Sequence, residues 1–485
     1  MIADRKHVEN PRAIVWFRKD LRLKDNPSLD AARKAGQDIV PVFIWDEEEG
    51  GRWSPGAASR WWLHHSLKDL EQSIESDGGK LILRKGKVLE VLPQLAKSIG
   101  AETVYYNRVY DPAGRCVQTA VETELSKIGV SSHSFNGSLL NDPWDIKNGS
   151  GKPYQVFTPY WRAARSGIYN EPLPYKPREL SFIQTGLKIE PLESLNLLPD
   201  HPWHQKLNSH WTVSEDEGHR MIKRTTGEVT QFYSNRRNIP AVDGTSKLSP
   251  YLAWGNISPR QVCHAVLNND AQSGSRGENK FLTEIGWREF SYHLLHHFPR
   301  STDNPLRPKY AAFPWREDAE ALSKWQFGNT GYALVDAGMK QLYETGWMHN
   351  RVRMVVASFL VKHLLLSWKE GASWFWDTLV DADLASNTQG WQWAAGCGAD
   401  AAPYFRIFNP ILQGEKFDRS GRYVRKWVKP LKDFPTKWLF KPWETPSNIL
   451  SEQNITLGQN YPNPCVNHAE ARARALEALA TLPKN

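Results

Sequence analysis

The sequence predicts an α/β domain joined to an all-α domain: a doubly wound, Rossmann-like parallel sheet, a long connector and a helical C-terminal part. Three observations predict it. β-branched and aromatic runs alternate with helical patterns up to about residue 140; a Pro- and Asn-rich stretch without sustained period follows; from Glu217 onward the apolar spacing is helical almost to the end. The expected division is residues 11–140 for the α/β domain, 141–216 for the connector and 217–485 for the helical domain. A chain of 485 residues is too long for one core of ordinary size.

Strands are expected at residues 13–17 (AIVWF), 39–44 (IVPVFI), 80–83 (KLIL) and 103–106 (TVYY). Helical patterns at 26–35, 57–76, 88–98 and 115–128 separate them, which is the order of right-handed βαβ units. No Gly-x-Gly-x-x-Gly follows the first strand, and no Gly-x4-Gly-Lys-Ser/Thr occurs, so the usual phosphate loops are missing. A ligand crevice is still expected at the carboxyl ends of the strands. The stretch 18–26 (RKDLRLKDN) reads as a solvated loop ending in a helix cap at Asp25 or Asn26. Residues 166–216 read as a structureless surface connector.

The net charge of +8 and the pI of about 9.1 favour polyanionic partners. Cys116, Cys263, Cys397 and Cys465 form no Cys-x-x-Cys pair, so neither a zinc site nor a disulfide framework is expected, and a reducing compartment is. The N-terminal MIADRKHVEN has no apolar signal core, and the most apolar run, 354–361, is too short to span a bilayer. A cytoplasmic protein with no membrane partner is expected. The 22 Trp serve packing, flat stacking surfaces or stepping stones for electrons.

The helical part carries the chemistry. Tyr233 opens a stretch in which Gly244 is followed by Thr245, Ser246, Lys247, Leu248 and Ser249; hydroxyls, N–H groups and a Lys this dense suit either a phosphate or an N-cap cluster. Glu284 and Arg288 stand four apart beside Trp287, as an exposed ion pair or as the lining of a pocket. Residues 347–370 lack Gly and Pro and read as one helix between Gly346 and Gly371. Its face runs from Asn350, Arg353 and Met354 through Ala357, Val361 and Leu364 to Trp368. Asp381 and Asp383 lack the spacing of a calcium loop; in apolar surroundings they need cations, with Arg353 and Arg288 as candidates. Trp391 and Trp393, two apart, would point opposite ways in an extended stretch, and Trp325 and Trp368 add further indoles. Residues 416–441 hold nine Lys or Arg against Asp418 and Asp433, with Tyr423, Trp427 and Trp438 among them: a solvated face, or one for nucleic acid.

WFRKDLRLKDNPSL, DGTSKLSPYLAWGNISPRQ, EIGWREF, GWMHNRVRM, DADLASNTQGWQWAAG and ADAAPYFRIFNPILQGEKFD resemble, in order from about Ile14 to Trp443, the photolyase/cryptochrome flavoproteins. Within that family the chain most resembles microbial cyclobutane pyrimidine dimer (CPD) photolyases, and WWLHHSL and SGKPYQVFTPYWRAAR look like the class III or proteobacterial class I branch. The resemblance implies FAD in the helical domain. Tyr233, Thr245, Ser246, Lys247, Leu248 and Ser249 would hold its phosphates, and Arg288 would face the same diphosphate. Arg353 would pair with Asp381 beside the ring, Asp383 would meet the ring's polar edge or the ribose, Asn387 would sit near the flavin N5, and Trp287 and Asn350 would border the site.

The implied reaction is light-driven repair: excited, reduced FAD passes an electron to a flipped-out dimer in double-stranded DNA, the cyclobutane ring splits and the electron returns. Trp287 and Trp393 would pack on the dimer, Glu284, Asn350 and Met354 would contact it, and Arg237, Arg351 and Arg406 would meet phosphates. Trp391, Trp368 and Trp325 would be the wire that reduces the flavin under light. Plant cryptochromes have Asp where this chain has Asn387, and a neutral amide suits a fully reduced, anionic flavin. The (6-4) photolyases carry two His four apart, whereas His349 is followed at that distance by Arg353. The antenna pair of the best-known bacterial type corresponds to Thr302-Asp303, so that site does not transfer; the branch implies methenyltetrahydrofolate, with an 8-hydroxy-deazaflavin as the alternative. A monomer is expected. The competing readings are a cryptochrome-type blue-light receptor without repair activity and a basic, Trp-rich nucleic-acid-binding protein.

Overall fold

Five parallel strands form the N-terminal sheet: β1 (Arg12–Phe17), β2 (Asp38–Trp45), β3 (Ile82–Lys85), β4 (Ala101–Asn107) and β5 (Ser131–Phe135), in the order β3-β2-β1-β4-β5. The structure is a computed structural model that describes residues 10–166, 180–269, 274–400 and 405–483. Both faces of β1 are buried: Ala13, Val15 and Phe17 join the core shared with the helical part, while Ile14 and Trp16 pack under the opposite face. Burial on both faces is why the strand reads as a continuous apolar run rather than an alternation. β5 escapes sequence reading because it is a half-exposed edge strand of sequence SSHSF. The sheet's helices are α1 (Pro27–Lys34), α2 (Ala57–Ser76), α3 (Val88–Ile99) and α4 (Pro112–Lys127), close to the expected ranges.

The loop after β1 is not solvated. Asn26 does cap α1, accepting from Leu29 N, but Arg18, Asp20, Arg22 and Asn26 are all buried. The Arg22 guanidinium donates to the carbonyls of Lys24, Asp25, Gly137 and Gly255, and Glu215 accepts from Leu23 N and Lys24 N. A charged loop is buried here because its charges meet backbone, polar side chains or counter-charges, Arg18 on Glu49 and Lys19 on Asp111 within the α/β half and Lys24 on Asp216 from beyond it. It is the hinge pin between the two halves. Gly255 fits against it in a left-handed turn (φ +71°), where a Cβ would lie 2.2 Å from Lys19 O.

The helical part comprises α5 (Phe157–Ala164), α6 (Glu215–Arg224), α7 (Thr230–Arg236), α8 (Ser249–Ala253), α9 (Pro259–Leu267), α10 (Arg276–His297), α11 (Ala319–Gln326), α12 (Ala333–Thr345), α13 (Asn350–Ser358), α14 (Trp368–Thr378), α15 (Leu384–Ala395), α16 (Pro410–Phe417), α17 (Arg422–Trp427), α18 (Ser447–Glu452) and α19 (His468–Ala480). α5 lies within the expected connector yet packs on α10. The rest of the connector is not structureless: Ile39 of β2 bonds to Ser181 and Ile183, 3-10 turns form at Leu192–Leu195 and Pro202–Ser209, and Trp203 and Trp211 donate to Tyr343 O and Thr345 O. Residues 167–179 of the connector, most of the N-terminal MIADRKHVEN, and residues 401–404 of the ADAAPYFRIFNP motif lie outside the described residues. No helix among the described residues is long and apolar enough to cross a membrane.

The expected single helix over 347–370 is broken. α13 passes into a π-turn at Phe359–His363, Leu365 adopts φ +55°, Arg316 N bonds to Leu365 O, and Ser367 caps α14. No local residue announces this break; a tertiary backbone pairing imposes it. Gly371 therefore lies inside α14, where its missing Cβ admits the Trp391 ring: an added Cβ would come within 2.0 Å of it.

Gly255→Ala is expected to lower folding stability by about 2 kcal/mol, the order of a strained left-handed residue with an added clash. Urea denaturation measures this, and an unchanged midpoint would contradict it.

Candidate functional site

Three chain segments meet at one carboxylate. Arg353, on α13, donates to both oxygens of Asp381 at 2.8 and 3.1 Å, and Ser249, the first residue of α8, donates to Asp381 Oδ2 at 2.6 Å. Arg353 Nε also bonds to Met348 O at 2.7 Å, which fixes the guanidinium plane. The Asp381 side chain is 3% exposed, so these donors take the place of water. Pairing of Arg353 with Asp381 was legible in the sequence; pairing of Glu284 with Arg288 is a correction. Glu284 instead meets Arg237 at 2.6 Å and Lys280 at 3.6 Å. Arg288 is turned into the junction between the halves, donating to Ser138 O and Glu289 and lying over Tyr292, not on the 243–249 segment.

Around His349, the N-cap of α13, the field is cationic. Its Nδ1 accepts from Arg351 N, while burial, then Arg351, Arg353, Arg237 and Lys247, push its pKa down to about 3. The buried His349 Nε2 and Arg351 Nε have no hydrogen-bond partner among the described residues. Arg351 reaches Asn238 Oδ1 at 3.0 Å and lies over Phe417; Lys247 reaches Asp243 at 3.1 Å. Such a concentration of cations with unmet polar atoms is a place for an anion. Tyr233 and Leu248 are buried beside it, Thr245 and Ser246 half-buried.

α15 supplies the next wall. Asp383 is its N-cap, accepting from Ser386 N and from the Tyr292 hydroxyl, so its oxygens hold helix ends together. One turn on, Asn387 Nδ2 donates to Ala372 O at 3.0 Å. Trp391 and Trp393 are on a helix, not an extended stretch, yet still diverge: Trp391 is buried edge-on to Phe375 and Trp325, and Trp393 is half-buried. Trp287 of α10 is half-buried, stacks on Phe157 at 3.8 Å and 8°, and meets Phe290 edge-on at 5.9 Å. Asn350 is exposed and Met354 half-buried on the same side of α13 as Arg353. Arg406 is exposed, on a loop whose carbonyl accepts from the buried Lys362 ammonium at 2.7 Å.

Trp368 is buried, and Trp325 is wholly so, with its indole N–H on Val356 O. Trp325 also lies edge-on to Trp391 with ring centres 6.0 Å apart. Trp315 was not singled out in the sequence. It is half-exposed, and the following residue, Arg316, pairs with the backbone at Leu365 and Leu366 just before Trp368. Nothing local marks that position; only the tertiary bridge does.

Residues 281–481 match the family profile described as the FAD binding domain of DNA photolyase, and residues 13–178 match that described as DNA photolyase. The deoxyribodipyrimidine photo-lyase of Agrobacterium fabrum is 45% identical over 97% of this chain and 98% of its own length. This chain belongs to the photolyase/cryptochrome family. Cryptochrome-1 of Arabidopsis thaliana is 38% identical over 97% of the chain and 70% of its own length. Among solved structures, the bacterial class III photolyase from Agrobacterium tumefaciens superposes with a TM-score of 0.94 at 44% identity, covering 99% of each chain. A Synechocystis cryptochrome gives 0.88 at 30%, covering 96% and 99%. An archaeal photolyase from Sulfolobus tokodaii with two FAD molecules gives 0.82 at 27%, covering 97% and 100%.

The photolyase site fits FAD on its own chemistry: cations and hydroxyls for a diphosphate, an ion pair and an amide for the ring's polar edge, and unmet buried nitrogens. Replacing Arg353 by Met leaves the buried Asp381 carboxylate with Ser249 alone. Loss of about 3 kcal/mol is expected, with less flavin retained per protein; urea denaturation and visible absorbance read both, and full retention of stability and flavin would contradict it.

Proposed function

We propose that this chain repairs cyclobutane pyrimidine dimers in double-stranded DNA under light, as a deoxyribodipyrimidine photo-lyase. The observation that carries the reading is Asn387, a neutral amide one turn into α15 and six residues after Asp381, held by Ala372 O at 3.0 Å. A carboxylate there would repel the negative charge of a reduced flavin, as the Asp of plant cryptochromes would; an amide does not. Bound in this cage in its reduced form, FAD supplies the photoexcitable electron donor that opens the cyclobutane ring.

The chain's own residues position both partners. Tyr233, Thr245, Ser246, Lys247, Leu248 and Ser249 line the phosphate side of the flavin site. Trp287 and Trp393 offer half-buried faces to a pair of bases taken out of the stack, which a damaged pair yields at about a few kcal/mol. Glu284, Asn350 and Met354 border that pocket, and Arg237, Arg351 and Arg406 stand where flanking phosphates would pass. Glu284 already holds Arg237, so its carboxylate both orients a phosphate donor and faces the lesion. Trp391 and Trp368 would carry an electron towards a bound flavin, with the half-exposed Trp315 as its entry from solvent and Trp325 packed against Trp391.

A cavity of about 250 Å³ opens at the carboxyl ends of β1 and β2 and is closed by Trp376 and Asp383 from the helical half. Its rings, Phe43, Trp53 and Trp376, and its ion pairs, Arg18 with Glu49 and Lys19 with Asp111, suit a planar polar antenna chromophore. Methenyltetrahydrofolate is the antenna we favour, with 8-hydroxy-deazaflavin as the alternative.

Illumination of a dimer-containing oligonucleotide with reduced protein is expected to remove the dimers; no light-dependent loss would favour the blue-light receptor. Trp391→Phe and Trp315→Phe are each expected to slow photoreduction of oxidised flavin at least tenfold, roughly the effect of a barrier raised by 1.4 kcal/mol, while chemically reduced variants repair normally. Transient absorption checks this, and photoreduction at the native rate in Trp315→Phe would assign that entry to another residue.

A further inference from the structure

We propose that the α16–α17 face, with the 434–438 segment behind it, is a track for the phosphates of one duplex arm beside the lesion. The inference rests on the repair reading above and extends it beyond the pocket.

The face begins at the site. Arg351 lies 4.5 Å over the Phe417 ring at the end of α16, and Lys416 lies 5.3 Å from the same ring. α17 is tied to the site's backbone: Tyr423 OH donates to Gln341 Oε1 at 2.7 Å, and that oxygen also accepts from His349 N. Arg425 donates to Phe434 O and Thr436 Oγ1, which brings Lys437 alongside.

From Lys416 to Lys437 the chain has eight Lys or Arg against Asp418 and Asp433. Asp418 is buried and spent on the backbone, accepting from Tyr423 N and Val424 N. Arg419, Lys426, Lys429, Lys432 and Lys437 are exposed, and none makes a salt bridge among the described residues.

The aromatics decide what the face takes. Lys426 lies 4.9 Å over Trp427 and Lys437 4.6 Å over Trp438, both rings being half-buried. Each indole fixes an ammonium on its own face. One face of each ring is thus taken by a cation, and an ammonium held in place is a point charge for a phosphate backbone, not a reader of sequence.

The test compares a dimer within a long duplex and a dimer in a short single strand that fills the pocket alone. For Lys426→Gln/Lys437→Gln, the slope of log affinity against log salt on the duplex should shrink by about 1.8, near 0.9 per lost phosphate contact. Binding and light-driven repair of the short strand should stay as in the native protein, and Lys426→Arg/Lys437→Arg should restore the duplex slope. An unchanged duplex slope would overturn the proposal, as would equal losses on both substrates, or a larger loss on undamaged single strands than on duplex. Failure of the native protein to repair the short strand would instead overturn the repair reading itself.

Discussion

The helical half is built around a cationic pocket that the protein alone does not neutralise. Arg237, Arg351, Arg353 and Lys247 converge on His349; Glu284, Asp381 and Asp243 answer three of them, and Arg351 meets no carboxylate among the described residues. Everything else at the site follows from holding these charges in place. Ser249 shares Asp381 with Arg353, Gln341 fixes the backbone of His349, and Asn238 holds Arg351. Concentrated like charge costs stability in the free protein. It is tolerated where a polyanion repays it, as a flavin diphosphate or a DNA backbone would.

The α/β half contributes rigidity and a second cavity. The buried loop after β1 lets Arg22 bond carbonyls from both halves, so the sheet's carboxyl edge is pinned to the wall that Asp383 and Trp376 form. Asp383 thereby stands between the crevice of the sheet and the helix that carries Asn387. A chromophore in the crevice and a flavin in the cage would be held at fixed orientation, which energy transfer between them requires.

Sequence reading reached far where the signal was local. Alternating strand and helix patterns gave four of the five strands and the whole of α2, because burial on one or both faces leaves a period. It failed where tertiary contacts overrode local preference. SSHSF carries no apolar pattern, the charged 18–26 loop is buried by partners more than a hundred residues away, and the break after α13 comes from Arg316. At the site, the rule that buried carboxylates need cations found Arg353 for Asp381. The i,i+4 rule misassigned Glu284, because Arg237, beyond the end of α7, lies closer than its own-helix neighbour. Similarity of motifs placed Trp325 in the wire, and the fold buries it against Trp391.

The most direct test of the central claim is the titration of His349, followed by NMR in flavin-depleted protein. Buried among four cations, the imidazole should stay neutral at every pH at which the protein is folded, in line with a pKa near 3. A histidine titrating in the ordinary range, near 6.5, would contradict the cationic cage and with it the reading of the pocket as a place for anions.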